Sequence, residues 1–188
     1  MANIILASSS PRRRELLLQL GLHFDTYSPK INEAILQHEP VEHYVERLSV
    51  EKANIVLEKF PDAVIIAADT SLEIDQRILG KPKSKQHAFE MWTLISGREH
   101  HVYTGVCVQT KQQKLSIVVS TKVEFQQLSQ NDMEYYWATG EPIGKAGAYA
   151  IQGIAAQYIP KIIGSYSNVV GLPLFETRQL LQTVGALH

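Results

Sequence analysis

Ala63-Val64-Ile65-Ile66-Ala67-Ala68 is a run of six uninterrupted apolar residues. It is far too short to cross a bilayer, has no polar alternation, and reads as a strand buried within a sheet. Ile4-Ile5-Leu6-Ala7 has the same character and is closed by Ser8-Ser9-Ser10. Pro11 then stands where a first helical residue belongs, with Ser10 as N-cap. Leu16, Leu17 and Leu20 supply the apolar side until Gly21 stops the helix. A chain that opens as buried strand, helix, strand restricts the fold to classes in which helices cover a sheet.

Further along, residues 24–27 alternate like a second strand. From 41 to about 60 the spacing of Val41, Tyr44, Val45, Leu48, Ile55 and Val56 predicts a long helix. The buried strand at 63–68 is read as ending at Asp69-Thr70. Residues 72–75 and 77–79 look like a short hairpin. A helix is predicted over 84–95, with Ala88, Met91, Trp92 and Ile95 on one side. Two long strands, about 101–108 and 115–125, are joined by a polar turn at 109–114. A short helix at 131–138, a strand at 158–163 and a helix at 172–184 complete the series. Helices alternate with strands early and hairpins dominate the middle, which makes the class mixed α/β. No repeat, low-complexity tract or long linker interrupts the chain, so residues 1–188 are expected to form one domain.

Charge excludes several function classes. Eighteen Lys and Arg residues face 19 Asp and Glu, and the only basic run is Arg12-Arg13-Arg14. Stable binding to nucleic acid or an anionic membrane calls for a basic excess, so neither is expected. With 45% hydrophobic and 20% charged residues in 188, the chain is too apolar for disorder and long enough to bury a core without disulfides. Cys107 is its single cysteine, which suits a reducing setting and reads as a buried structural thiol. The first residues show no positively charged leader, and a soluble, cytoplasmic protein is expected.

Two motif look-alikes fail on spacing. His38-Glu39-Pro40-Val41-Glu42-His43 resembles a zinc-protease box, but its histidines are five residues apart and do not share a helix face. Gly140-Glu141-Pro142-Ile143-Gly144-Lys145 resembles a P-loop, yet is one residue short and lacks the following Ser or Thr.

The chemistry-bearing residues are few. Ser8-Ser9-Ser10-Pro11-Arg12-Arg13 places hydroxyls, free helix N-terminal amides and guanidinium groups at the end of a buried strand, a combination that binds phosphate. The same residues would also serve an ordinary N-capped surface helix. Lys52 lies in the row Tyr44, Leu48, Lys52, Val56, the apolar stripe of its helix. A lysine there either snorkels out, the commoner outcome taken singly, or points into a site holding negative charge. Asp69 follows the apolar strand, where a carboxylate can hold a metal, activate water, or merely turn the chain. Lys81 sits between Gly80 and Pro82, and Glu33 says nothing alone.

Together these residues are similar to a family. Ser8-Ser9-Ser10-Pro11-Arg12-Arg13, Ala68-Asp69-Thr70, Gly80-Lys81-Pro82, Ser96-Gly97 through Thr104-Gly105, Lys145-Ala146-Gly147-Ala148-Tyr149-Ala150-Ile151-Gln152-Gly153 and Gly164-Ser165-Tyr166-Ser167-Asn168-Val169-Val170-Gly171-Leu172-Pro173-Leu174 occur in the order and approximate spacing of the Maf family of nucleoside triphosphate pyrophosphatases. The resemblance covers essentially the whole chain.

That resemblance implies an elongated, two-lobed α/β fold like that of inosine triphosphatases, with a mixed central sheet flanked by helices and the active site in the cleft. It implies hydrolysis between the α- and β-phosphates of a nucleoside triphosphate with a divalent metal, Mg²⁺ or Mn²⁺. Ser8, Arg13, Lys52 and Lys81 would hold the triphosphate. Asp69 would serve as general base, metal ligand or both, and Glu33 would assist with the metal. The family usually has two adjacent acids near Glu33, whereas this chain has Asn32-Glu33. Specificity within the family tracks with the positions of Arg12, Thr70 and Gln152, and this set resembles the subfamily cleaving dTTP and UTP. The branch acting on 7-methyl-GTP resembles Trp, Gln and Glu there. A non-catalytic, nucleotide-binding regulator of cell division is the alternative of another class. The family also makes a homodimer possible.

Overall fold

The computed structural model of the protein describes residues 3–187. Its elements run β1 (Ile4–Leu6), α1 (Pro11–Leu18), β2 (Asp25–Thr26), α2 (Val41–Lys59), β3 (Val64–Ile74), β4 (Arg77–Leu79), α3 (Lys85–Ile95), β5 (Glu99–Gln109), β6 (Lys114–Glu124), α4 (Gln130–Ala138), β7 (Lys161–Ile163), α5 (Tyr166–Val170) and α6 (Leu174–Thr183), with 3-10 turns at Ala146–Ala148 and Ile154–Tyr158. Among the described residues seven strands form one sheet in the order β2-β1-β3-β5-β6-β7, with β4 paired to β3. β1 is parallel to β2 and β3, while β4 is antiparallel to β3 and β7 to β6. The mixed α/β class is the one the chain builds. α1 and α2 fall within the crossover that two parallel neighbours require.

Four sequence expectations change. β3 does not end at Ala68 but continues to Ile74, so Asp69 sits within an eleven-residue strand instead of at its end. Its polar residues did not break the strand because Asp69 and Ser71 are buried and Asp69 is bonded to another side chain. The strand read at 158–163 shrinks to Lys161–Ile163, and a five-residue helix, α5, lies where none was predicted. Five residues make barely more than one turn and give no readable period. Ile55, assigned to the apolar face of α2, is 38% exposed, about one residue's rotation away from the buried stripe ending at Val56.

The chain divides into two compact units. One gathers the chain up to Thr70, Thr104–Val119, and the chain from Gly171 onward; the other gathers Ser71–Tyr103 and Ser120–Val170. In the first unit Ile5, Ala7, Ile65 and Ala67 meet Ala53, Val56 and Cys107 in one apolar cluster. Ile4, Leu6, Val64 and Ile66, of opposite parity, are buried as well. Both faces of these strands are therefore covered, the physical meaning of their unbroken apolar runs. Burial pushes the Cys107 thiol up to about 12, which keeps it inert. α2 approaches β5 so closely that a Cβ on Gly105 would overlap the carbonyl of Val45, and only glycine fits there.

The second unit centres on Trp92, Phe125, Tyr136, Tyr149 and Tyr158. Its ladder of tilted and edge-on rings includes Trp92–Tyr136 at 5.3 Å and Phe125–Tyr149 at 5.0 Å between centroids. Trp92 donates its indole N–H to the carbonyl of Ala148 at 3.1 Å. His100 is 1% exposed, with Nε2 at 2.8 Å from the Tyr149 hydroxyl and Nδ1 buried without a hydrogen-bond partner. A protonated ring would leave a buried N–H unpaired. Burial first, and His101 second, push its pKa from 6.5 down to about 3.

In the unfolded chain this histidine takes a proton near 6.5, while in the folded protein it stays neutral to about 3. Stability is therefore full above the unfolded value and falls as pH drops through that window. At about 1.4 kcal/mol per pH unit, the loss reaches about 3 kcal/mol near pH 4. Urea midpoints measured from about pH 7 to about pH 4 are expected to fall more steeply for the wild type than for His100→Gln. Parallel curves would remove His100 from this role.

Candidate active site

The first unit holds most of the charged residues singled out in the sequence. Ser10 is the N-cap of α1 and accepts from the Arg13 N–H at 3.4 Å, and Pro11 opens the helix as its type requires. Ser8 accepts from the Ser10 N–H at 3.2 Å and from Arg13 Nη1 at 3.4 Å. The Arg13 guanidinium also donates through Nε to the Gly171 carbonyl at 2.8 Å and through Nη2 to Thr70 Oγ1 at 3.0 Å. Burial lowers the pKa of Arg13, Asp69 and Glu33 pull it upward, and Arg12 adds to the lowering. The guanidinium stays cationic, and its bonds to Gly171, Ser8 and Thr70 fix its orientation at the head of α1. Arg12 occupies the first turn of α1 and is half-buried.

Lys52 does not snorkel. It is 8% exposed, and its Nζ lies 2.6 Å from Asp69 Oδ1 and 2.8 Å from Glu33 Oε1. The α2 stripe thus delivers an ammonium to two carboxylates, one on β3 and one on the segment preceding α2. Tyr44, two turns earlier in the same row, donates its hydroxyl to the Glu33 carbonyl at 2.9 Å. Burial, then Asp69 and Glu33, pushes this phenol up to about 12, so it stays a donor. Asn32, standing where the family usually has an acid, accepts from the Ala34 N–H at 3.0 Å. It turns the segment rather than adding charge.

Sequence reasoning missed three contributors. Arg47 grips Glu39 through Nε at 2.6 Å and Nη2 at 2.8 Å, and donates to the Ala34 carbonyl at 3.1 Å. It thereby fixes a segment with no regular structure of its own around Glu33. Thr104, fully buried, lies 2.9 Å from Thr70 Oγ1. Tyr44 was visible only as an apolar member of its stripe. The position of Tyr44 relative to Lys52 was a usable signal; nothing local marks Arg47. Lys81 follows β4 and Gln152 precedes the second 3-10 turn, both in the second unit. The Gly164–Leu174 motif proves architectural in part: buried Asn168 donates to the Val102 carbonyl at 3.0 Å and to Thr121 Oγ1 at 2.9 Å.

Among the described residues no group of three or more His, Cys, Asp or Glu gathers as a metal set. Asp69 and Glu33 converge on one ammonium, and their hard carboxylate oxygens are the donor type that Mg²⁺ or Mn²⁺ would take.

The fold and these groups define an α/β protein with a lysine-bridged carboxylate pair beside an arginine-bearing helix N-terminus. The chain belongs to the Maf family: the family model described as Maf-like protein matches residues 3–184. It is 64% identical to a dTTP/UTP pyrophosphatase of Acinetobacter baylyi over 97% of this chain and 100% of that one. It is 49% identical to a dTTP/UTP pyrophosphatase of Vibrio parahaemolyticus over 96% of each chain. Among solved structures, a HAM1 protein from Coxiella burnetii has a similar fold, with a TM-score of 0.55 and 18% identity over 98% of each chain. No helix among the described residues is long and apolar enough to cross a membrane.

Proposed function

We propose that the protein hydrolyses dTTP and UTP to the nucleoside monophosphate and pyrophosphate. The observation carrying this reading is the buried Lys52 bonded to both Asp69 and Glu33, in the same unit as Arg13 and the N-terminus of α1. Near-full-length relatives described as dTTP/UTP pyrophosphatases support it. Phosphoryl transfer demands positioning and charge neutralisation more than covalent chemistry from the protein. Arg13 and Ser8 bind phosphate oxygens, with Arg12, Lys52 and Lys81 supplying further positive charge. Asp69 takes the proton from the attacking water as the bond between α- and β-phosphates breaks and pyrophosphate leaves. Glu33 and Asp69 are the residues that would hold a divalent cation, which when bound neutralises charge developing on the phosphates.

Arg12, Thr70 and Gln152 bear on nucleobase choice. An amide at Gln152 both donates to and accepts from a pyrimidine edge. Cytoplasmic action belongs to this reading, supported by a single cysteine that is buried. Purified protein with Mg²⁺ or Mn²⁺ and a nucleotide panel tests it, with products identified by phosphorus NMR. Pyrophosphate plus dTMP or UMP is expected. Orthophosphate plus a diphosphate, or faster turnover of 7-methyl-GTP than of dTTP, would overturn it.

A further inference from the structure

The P-loop look-alike at 140–145 has no part in the chemistry above, yet its glutamate is tied to several groups. Gly140 and Gly144 both have φ of 74°, and residues 141–144 form a turn. Glu141 is half-buried, and its carboxylate gathers three donors. Oε1 accepts from the Tyr136 hydroxyl at 2.6 Å and the Ala155 N–H at 3.3 Å, and Oε2 from the Ile154 N–H at 2.8 Å. The Tyr136 hydroxyl in turn accepts from the Ala150 N–H at 3.1 Å. Ala150 precedes Gln152 by two residues, and Ile154 and Ala155 follow it by two and three. Both flanks of Gln152 therefore hang on one carboxylate, directly on one side and through a phenol on the other.

Between those anchors the chain makes a tight turn. The Gly153 N–H donates to the Ala150 carbonyl at 3.0 Å, which places Gln152 third in a four-residue turn. Ile151 is buried and Gln152 is exposed, so the amide is the side chain this turn presents outward. A Cβ at Gly153 would overlap the Glu141 carboxylate, so the carboxylate lies directly against the backbone of this turn. Every group facing Glu141 in these bonds is a donor. An isosteric amide would turn an NH₂ against an N–H or the phenol, and only a carboxylate satisfies all three.

We infer that Glu141 is a positioning residue that, together with Tyr136, sets the aim of Gln152 and thereby the nucleobase selectivity of the enzyme. This rests on the proposed function, in which Gln152 reads the base. It assigns selectivity to a residue whose carboxylate is spent on the protein itself.

The test is a double-mutant cycle between Glu141→Gln and Gln152→Ala. The readouts are the dTTP to 7-methyl-GTP ratio of kcat/KM and the same ratio of dissociation constants. In Glu141→Gln both ratios are expected to fall about tenfold, as one or two well-made hydrogen bonds are lost. Tyr136→Phe, which cuts only the Ala150 arm, is expected to lower them less. In the Gln152→Ala background Glu141→Gln is expected to have no further effect on either ratio, because its effect passes through Gln152. An unchanged ratio in Glu141→Gln, or the same fall with and without Gln152, overturns the inference and leaves Glu141 a structural cap. Should Glu141→Gln fail to fold, Tyr136→Phe carries the same cycle and decides by the same criterion. Should the wild type hydrolyse no nucleotide, the proposed reaction fails while the ratio of dissociation constants still decides the role of Glu141.

Discussion

Asp69→Asn is expected to lower dTTP turnover by about a thousandfold, within the range that loss of a general base produces, in a protein that still folds. The substitution keeps shape and removes both the charge and the proton-accepting lone pair. Lys52 retains Glu33 at 2.8 Å, so its ammonium does not lose every partner. Asn at this site continues the extended backbone of β3, and the thermal midpoint should move little. Nucleotide affinity should hold or tighten, because a negative charge near the triphosphate has gone. The measurement is kcat and dissociation constant together, with pyrophosphate release as the assay. A drop in kcat of less than about tenfold, far below what general-base loss costs, would show that Asp69 neither accepts the proton nor holds a cation the reaction needs.

Lys52→Met has a different signature, affecting both activity and stability. Methionine fills a similar volume in the α2 stripe, so the packing cost is small. What is lost is the ammonium bonded at 2.6 Å to Asp69, a carboxylate that is 8% exposed. Removing one partner of a buried pair costs about 3–5 kcal/mol, because the remaining charge is left desolvated. Exposed pairs such as Lys85–Glu134 are worth about 1 kcal/mol or less, which makes Lys85→Met the natural control. Turnover should fall by about a hundredfold or more as a preorganised positive charge is withdrawn. Combining Lys52→Met with Asp69→Asn should restore much of the stability and none of the activity. Urea unfolding of the four proteins, with kcat/KM for each, separates these outcomes. Equal destabilisation by Lys52→Met and Lys85→Met would mean that the buried bridge contributes nothing special.

Much of this site was legible because its residues carry local signals. Ser10-Pro11 at the head of α1 is a capping pattern that works through neighbouring atoms, and the structure bears it out in the Ser10 bond to the Arg13 N–H. The anomaly of Lys52, a charge in an apolar row, followed from helix periodicity alone. Its resolution did not, because whether a lysine snorkels or turns inward depends on what faces it. Asp69 misled for a related reason. Polar residues after an apolar run look like a strand end, yet here their side chains find partners inside the protein and the strand runs on to Ile74. The bonds of Arg47, Thr104 and Glu141 were not legible, because they run to residues distant in sequence or to bare backbone groups.

The sequence by itself determined the class of fold and the residues able to carry chemistry. Strand and helix periods, caps and turn residues are short-range physics, written within a few positions of one another. Only the tertiary structure decided which charges meet. It turned Lys52 toward Asp69 and Glu33, tied Arg13 to Thr70 and Gly171, and hung the Gln152 turn on Glu141. Pairing energies depend on distance and burial, and those exist only once strands and helices far apart in the chain have packed.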